Sequence, residues 1–268
     1  MPPSPTPYSD YTLTCLGVGE GWPSGSRRQA SFVYRFGPTR ILVDCGDGMS
    51  AAFQGSGIDY ETLDAVVLSH MHSDHVGGFS MFVQSLWLNQ RRRPLPVYAP
   101  ARAVPALKAW LEATVLPAGL IGFELQWHAL EPDIPFQIGS VMVTAFPTTH
   151  LDSLRRSFEH VHPIIAFEAF SFLLDDSNRR VGHTADIGQA ADLDLLLAAR
   201  PSLLVSELSH IELGDLAARV RGAELDRIIF VHVARALLEN LDQLENQLRN
   251  ELEGLAFALA RDDDVYSF

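Results

Sequence analysis

Ser69-His-Met-His-Ser-Asp-His75 is the stretch on which the reading of this chain turns. It places His70, His72, Asp74 and His75 within six residues, directly after the apolar run Ala65-Val-Val-Leu-Ser69. In an extended segment, residues two apart point the same way, so His70 and His72 can grip one cation together. The chain then turns, so that Asp74 with His75 can face a second cation nearby, and Gly77-Gly78 permits tight turning before the next helix. Imidazole and carboxylate are the donors that a borderline cation such as zinc prefers. The chain has 10 histidines in 268 residues, so three in so short a space, with an acid between them, point to a metal rather than to a solvated loop.

Around this motif, short apolar bursts alternate with helical spacing in both halves of the chain. Strands are predicted at 12–16, 30–36, 40–44, 65–69, 94–98, 141–146, 166–174, 179–182, 202–206, 227–231, 255–260 and 265–268. The turns Gly37-Pro38 and Asp175-Asp-Ser-Asn178 join two pairs of these as hairpins. Helical spacing is predicted at 78–89, 103–115 and 213–221, and as one long amphipathic helix at 236–253. That helix would carry Leu237, Leu238, Leu241, Leu244 and Leu248 on one face. No repeat, linker or shift in composition divides the chain, so an α/β layered sandwich in a single domain over 12–268 is expected, after a proline-rich, flexible lead-in over 1–11.

Composition narrows the classes of function. With 47% hydrophobic and 20% charged residues the chain is neither disordered nor fibrous. No apolar run approaches the roughly 20 residues of a membrane span, and the start has no basic-then-apolar leader. Cys15 and Cys45 cannot build a disulfide framework, and a reduced, cytoplasmic setting is expected. A net charge of -13 argues against a broad nucleic-acid surface. The Gly-rich Leu16-Gly-Val-Gly-Glu-Gly-Trp-Pro23 by itself is a weak dinucleotide-binding signal, set aside because a metal sequence occupies the rest of the fold.

His70-x-His72-x-Asp74-His75 resembles the metal motif of the metallo-β-lactamase superfamily, and Leu42-Val-Asp-Cys-Gly-Asp-Gly48 resembles its strand and turn carrying an aspartate ahead of that motif. The resemblance implies an αββα four-layer sandwich with metals at one edge between two sheets. It also implies further ligands. His150, ending Phe146-Pro-Thr-Thr-His150, matches the third histidine; Asp186, in Val181-Gly-His-Thr-Ala-Asp-Ile-Gly188, matches the bridging aspartate, with Ala185 where glycine is common; His232, ending Phe230-Val-His232, matches the last histidine. One cation then falls to His70, His72 and His150, the other to Asp74, His75 and His232, with Asp186 between. Zinc is the first choice, with manganese and iron compatible. Asp44 is expected to hydrogen-bond to a ligand histidine and fix its tautomer.

Within the superfamily, flavodiiron proteins carry a glutamate where His72 stands, and glyoxalase- and lactonase-like members carry Gly-His-Thr-x-Gly where this chain has Pro147-Thr-Thr-His150. The opening Gly-rich loop, with Arg27, Arg28 and Ser31 downstream, looks more like ribonuclease Z and related phosphodiesterases. Arg27 and Arg28 are either phosphate contacts or solvated loop charges. Two departures count against tRNA 3′ processing: residues 151–185 leave little room for the tRNA-gripping arm of ribonuclease Z, and no His-Ser-Thr-like motif lies between Asp186 and His232. In Val205-Ser-Glu-Leu-Ser-His210, Glu207 matches by position the glutamate that orients a catalytic histidine, and His210 is either a proton donor or a residue at the start of the next helix. His128, His160, His162 and His183 are expected at the surface or behind the ligands, with His160 and His162 the two that could line the pocket.

The expected activity is hydrolysis of a small phosphodiester by hydroxide formed at a metal pair, with Asp74, His210 and Glu207 as catalytic groups. Ester, lactone or thioester hydrolysis is the alternative on the same metals, and a non-catalytic metal sensor is a third class. The expected partner is a small-molecule substrate, with nucleic acid disfavoured, no membrane, and homodimer formation left open.

Overall fold

The computed structural model describes residues 10–268, so the expected lead-in lies, up to residue 9, outside the described residues. The first sheet is built from β1 (Tyr11–Gly17), β2 (Ser31–Phe36), β3 (Thr39–Val43), β4 (Ala65–Val67), β5 (Leu95–Ala99) and β6 (Leu125–Ala129) in that spatial order. The second runs through β7 (Phe136–Ile138), β8 (Val141–Pro147), β9 (Phe170–Asp175), β10 (Arg180–His183), β11 (Leu203–Leu208), β12 (Arg227–Val233) and β13 (Ala256–Leu259). The chain then returns to the first sheet, where β14 (Val265–Ser267) pairs antiparallel with β1. Helices α1 (Met49–Gly55), α2 (Ser73–Val76), α3 (Phe79–Leu88), α4 (Ala103–Ala113) and α5 (Ala118–Ile121) belong to the first half. Helices α6 (Asp152–Phe158), α7 (Asp194–Ala198), α8 (Leu213–Val220), α9 (Arg235–Leu238) and α10 (Leu241–Glu251) belong to the second.

The pleat of the strands sorts their side chains into three apolar layers. Phe32, Tyr34 and Ile41 of the first sheet meet Val143, Phe172, Val205 and Ile229 of the second in a core between the sheets. Their neighbours along the same strands point outward: Val33, Leu42 and Val66 pack on Phe53, Phe82 and Leu107. On the far side, Leu173, Leu204, Ile228 and Phe230 pack on Leu196, Leu216, Leu244 and Leu248. Strands buried on both faces need continuous apolar runs, which is why Ile41-Leu42-Val43 and Leu203-Leu204-Val205 do not alternate with polar residues. The result is the expected αββα sandwich in a single domain.

Three local expectations are corrected. The strand predicted from residue 166 begins only at Phe170, because Phe167 and Ala169 pack on Leu151 in a small separate cluster. The long helix predicted at 236–253 is two helices: Asn240 leaves helical geometry at φ -135° and its side chain accepts from the Gln243 N–H, capping α10. Of the leucines expected on one face, Leu244 and Leu248 are buried, while Leu241 is exposed. Strands β6 and β7 were not expected; they lie at sheet edges, where half-exposed side chains carry little apolar signal. Cys15 and Cys45 are both free and buried. No helix among the described residues is long and apolar enough to cross a membrane.

The C-terminal ends of β4, β10, β11 and β12 and the loop after β8 meet at one edge. There the two sheets are stitched by His232, whose N–H donates to the Val18 carbonyl at 2.9 Å. The acidic turn before β14 reaches the same region: Asp262 accepts from the N–H groups of Val18 and Arg28, at 3.1 and 2.7 Å. Phe172 is fully buried between the sheets, so Phe172→Ala should cost about 3–5 kcal/mol of stability, read as a lower denaturant midpoint at unchanged slope.

Candidate metal centre

Asp44, at the end of β3, organises the histidine motif from beneath. Its Oδ1 accepts from the Ser69 N–H at 2.7 Å, while its Oδ2 accepts from the Ser69 hydroxyl at 2.8 Å and faces His75 Nδ1 at 2.7 Å. Three partners satisfy this fully buried carboxylate, and the contact at Nδ1 leaves His75 Nε2 to point away from it. Asp44 has φ 61°, a left-handed conformation rarely adopted by a non-glycine residue. The turn just beyond it is equally constrained: a Cβ on Gly46 would stand 2.3 Å from the Asp74 carbonyl oxygen.

Beyond this support, side chains from both sheets converge in two groups. Ligand atoms of His70, His72, His150 and Asp186 lie within 4.8 Å of one another, and so do those of Asp74, His75, Asp186 and His232. Asp186 belongs to both. Its Oδ2 is 3.8 Å from His70 Nε2 and 3.5 Å from His150 Nε2, and its Oδ1 is 3.2 Å from His75 Nε2 and 3.6 Å from His232 Nε2. These are the seven residues singled out by the sequence, and they are buried or nearly so.

The electrostatics differ between the groups. Burial dominates at His70, His72 and His150 and lowers all three imidazoles, His150 to about 4, so they are neutral donors. At His75 and His232 burial also opposes the charge, but Asp186 with Asp44 or Asp74 outweighs it and raises both. Burial alone would raise Asp186, yet His232 and His75 hold it well below the usual carboxylate range. A cation entering that group therefore displaces imidazole protons as it binds.

Whether these residues fit metal ions is tested by their unmet valence. His70 Nε2, His75 Nε2 and Asp186 Oδ1 are buried without a hydrogen-bond partner, even though the last two are 3.2 Å apart, because the angles are wrong for a bond. Buried polar atoms left unpaired are costly, and unpaired donors in both clusters, with Asp186 shared between them, are what a cation in each would satisfy. The donor set, imidazole nitrogen with carboxylate oxygen, suits zinc and its divalent neighbours.

His210 stands beside this centre. Its Nδ1 is 3.0 and 3.1 Å from the two oxygens of the fully buried Glu207 and 3.8 Å from Asp186 Oδ2. Its ring is 4.6 Å from that of His150. Burial depresses this imidazole, but the Glu207 hydrogen bond and charge prevail and lift it to about 9. Glu207 also accepts from the N–H groups of Ile187, Ser209 and His210, so it ties the Asp186 turn to the His210 turn.

The remaining histidines lie elsewhere. His160 and His162 are exposed after α6, and His128 stacks on Tyr98 at 4.7 Å in β6. His183 is buried between the sheets, with Nδ1 2.8 Å from the Tyr34 hydroxyl. For Arg28 the phosphate alternative is overturned: its guanidinium donates to the Leu16 carbonyl and pairs with Asp263 at 2.5 Å, which fixes the loop. Among the described residues, Arg27 makes no such pair. The sequence did not show that Trp22 and Arg235, remote in the chain, meet with the guanidinium 4.6 Å from the ring centroid.

Replacing Asp44 by Asn would swap one acceptor oxygen for a donor facing His75 or Ser69. Asp44→Asn should weaken metal affinity about 10–100-fold in a chelator competition, with little change in far-UV circular dichroism. Gly46→Ala forces backbone against backbone and should cost about 1–3 kcal/mol in denaturant unfolding.

Known proteins resemble this chain in sequence and fold. The family model for the Beta-lactamase superfamily domain matches residues 39–233, most of the chain. A ribonuclease Z from Archaeoglobus fulgidus is 28% identical over 141 residues, which cover 53% of this chain and 45% of that protein, so the match spans less than half of the relative. Among solved structures, the metallo-beta-lactamase fold protein YhfI from Bacillus subtilis superposes with a TM-score of 0.73 at 20% identity, covering 96% of this chain and 99% of that one. The short form of human tRNase Z gives 0.69 at 17% identity, covering 96% and 98%. With its sandwich, its paired His/Asp clusters and a family model that spans residues 39–233, the chain belongs to the metallo-β-lactamase superfamily.

Proposed function

We propose that this chain hydrolyses a small phosphodiester with two divalent cations, zinc first among them. The observation that carries the reading is a pair of His/Asp clusters sharing Asp186, with a proton-bearing His210 set against the shared carboxylate. His70, His72 and His150 would hold one cation, Asp74, His75 and His232 the other, and Asp186 both. Such a pair supplies Lewis-acid polarisation of the P=O group and an acidified water.

The chain's own groups do the rest. Asp74, whose Oδ2 faces His232 Nε2 at 3.0 Å, orients the attacking water as a hydrogen-bond acceptor. His210 delivers a proton to the departing oxygen, and Glu207 fixes its ring and keeps it charged. An imidazolium matters most for an alkoxide leaving group, which favours a phosphodiester of an alcohol over a thioester. Likeness to ribonuclease Z supports a second reading, tRNA 3′ processing. Against it, residues 151–185 are taken up by α6, β9 and β10, and the net charge of -13 repels a polyanion.

Turnover of bis-p-nitrophenyl phosphate beside a lactone and thioester panel tests the reading; activity confined to lactones or thioesters would overturn it. Purified protein should carry close to two metal equivalents, and Asp74→Ala or His75→Ala should lose mainly one of them. His210→Ala should slow poor-leaving-group substrates by ~10²–10⁴-fold while leaving metal content intact, and slow p-nitrophenyl esters far less. The acid form of His210 exists below its pKa, so the rate should fall on the alkaline side, at or below about pH 9 because bound cations oppose the imidazolium. Glu207→Gln removes the group that raises it and should move that limb toward neutral pH. Precursor tRNA should be a poor substrate, measured by 3′-end cleavage.

A further inference from the structure

The loop between β1 and β2 lies against the end of β12 and walls a cavity of about 410 Å³, within the range of small-ligand pockets. Trp22, Arg27 and Arg235 line it, together with Glu20 and Glu239. This cavity adjoins the metal centre. A Cβ on Gly21, which lies between the lining residues Glu20 and Trp22, would stand 3.4 Å from Asp74 Oδ2, and the lining Val233 directly follows His232.

Its chemistry is unusual for the surface of an acidic protein. Trp22 is 61% exposed, with the Arg235 guanidinium over its ring at 4.6 Å from the centroid. A large ring left in solvent forgoes the burial that normally holds tryptophan in a fold. The Trp22 N–H donates to Glu20 Oε2 at 3.0 Å, which anchors the loop that presents the indole. Among the described residues, neither Arg27 nor Arg235 has a carboxylate within 4.0 Å, although Glu20 and Glu239 share the cavity. Arg28, next in the chain, pairs with Asp262 and Asp263. The cavity thus offers a flat aromatic platform bordered by uncommitted donors and by acceptors.

We propose that this cavity receives the nucleobase of a nucleotide substrate whose phosphate lies at the metal centre, stacked on Trp22 and hydrogen-bonded along its edge by Arg27 and Glu239. The inference rests on the phosphodiester reading and names its substrate class. A base has a π face for the indole and carries both donor and acceptor atoms on its edge, matching a rim of mixed charge better than a second phosphate would. Arg235, which lines the same cavity, holds one face of the indole through the cation–π contact at 4.6 Å and leaves the other for the base.

Isothermal titration of the metal-loaded protein with adenosine 5′-monophosphate and with ribose 5-phosphate separates the ring from the phosphate. The nucleotide should bind about tenfold more tightly or better, since stacking one base contributes that much. Trp22→Ala should abolish this difference without changing ribose 5-phosphate binding or metal content, and Trp22→Phe should keep part of it. Equal affinity for the two compounds, no binding of either, or a difference that survives Trp22→Ala would overturn the inference. Failure of the hydrolytic reading is distinct: Trp22-dependent nucleotide binding with no turnover of any phosphodiester keeps the base site and removes the activity, whereas turnover without discrimination keeps the activity and removes the base site.

Discussion

A single buried carboxylate sets the terms for this structure. Asp186 is 2% exposed and has His70, His75, His150, His210 and His232 within 4 Å of its two oxygens. An ionised carboxylate out of water is tolerated only when positive or polarisable groups surround it, and removal of that company leaves a charge that costs several kcal/mol. The imidazoles come from four different stretches of chain. Each must be delivered by a strand end that stops at the same level, and the two sheets must face each other closely enough for both to contribute. The packing between Phe32, Tyr34, Phe172 and Ile229 is what holds them at that separation.

Delivery to one point has a cost in backbone conformation. Asp44, Ala185 and His232 all have positive φ, at 61°, 45° and 46°, and all three adjoin or belong to the histidine and carboxylate cluster. Non-glycine residues held left-handed cost on the order of 1–3 kcal/mol each and persist only where the surroundings fix them. Hydrogen bonds do the fixing: Asp44 N–H donates to Val67, and His232 N–H to Val18. Stability stored in the apolar layers is therefore drawn down at the edge where chemistry is concentrated.

Much of this was legible in the sequence because two signals are local. Apolar runs without alternation mark strands buried on both faces, and His70 to His75 lie within one turn of chain. The more distant members of the two clusters, His150, Asp186 and His232, were readable through resemblance, each standing at the end of an apolar burst. What escaped has physical reasons. The edge strands β6 and β7 pack only partly and carry no strong pattern. The break between α9 and α10 depends on one capping asparagine inside an otherwise helical stretch. The juxtaposition of Trp22 with Arg235 arises from tertiary approach alone, and the different fates of Arg27 and Arg28 depend on where Asp262 and Asp263 arrive.

That arrival bears on how the molecule reaches its native state. Arg28 N–H is bonded to a carboxylate 234 positions later in the chain, and Val18 N–H to the same group across 244 positions. Strand β1 gains its outer neighbour from β14. Contacts of such sequence separation form late, since loop closure must precede any gain from them. During synthesis β1 emerges before β14 and stays an unpaired sheet edge on that side until β14 follows, a stage at which association with other chains competes with folding. The loop carrying Trp22 and Arg27 is set in the same closing event, so the wall it gives to the neighbouring cavity forms only when the first sheet is completed.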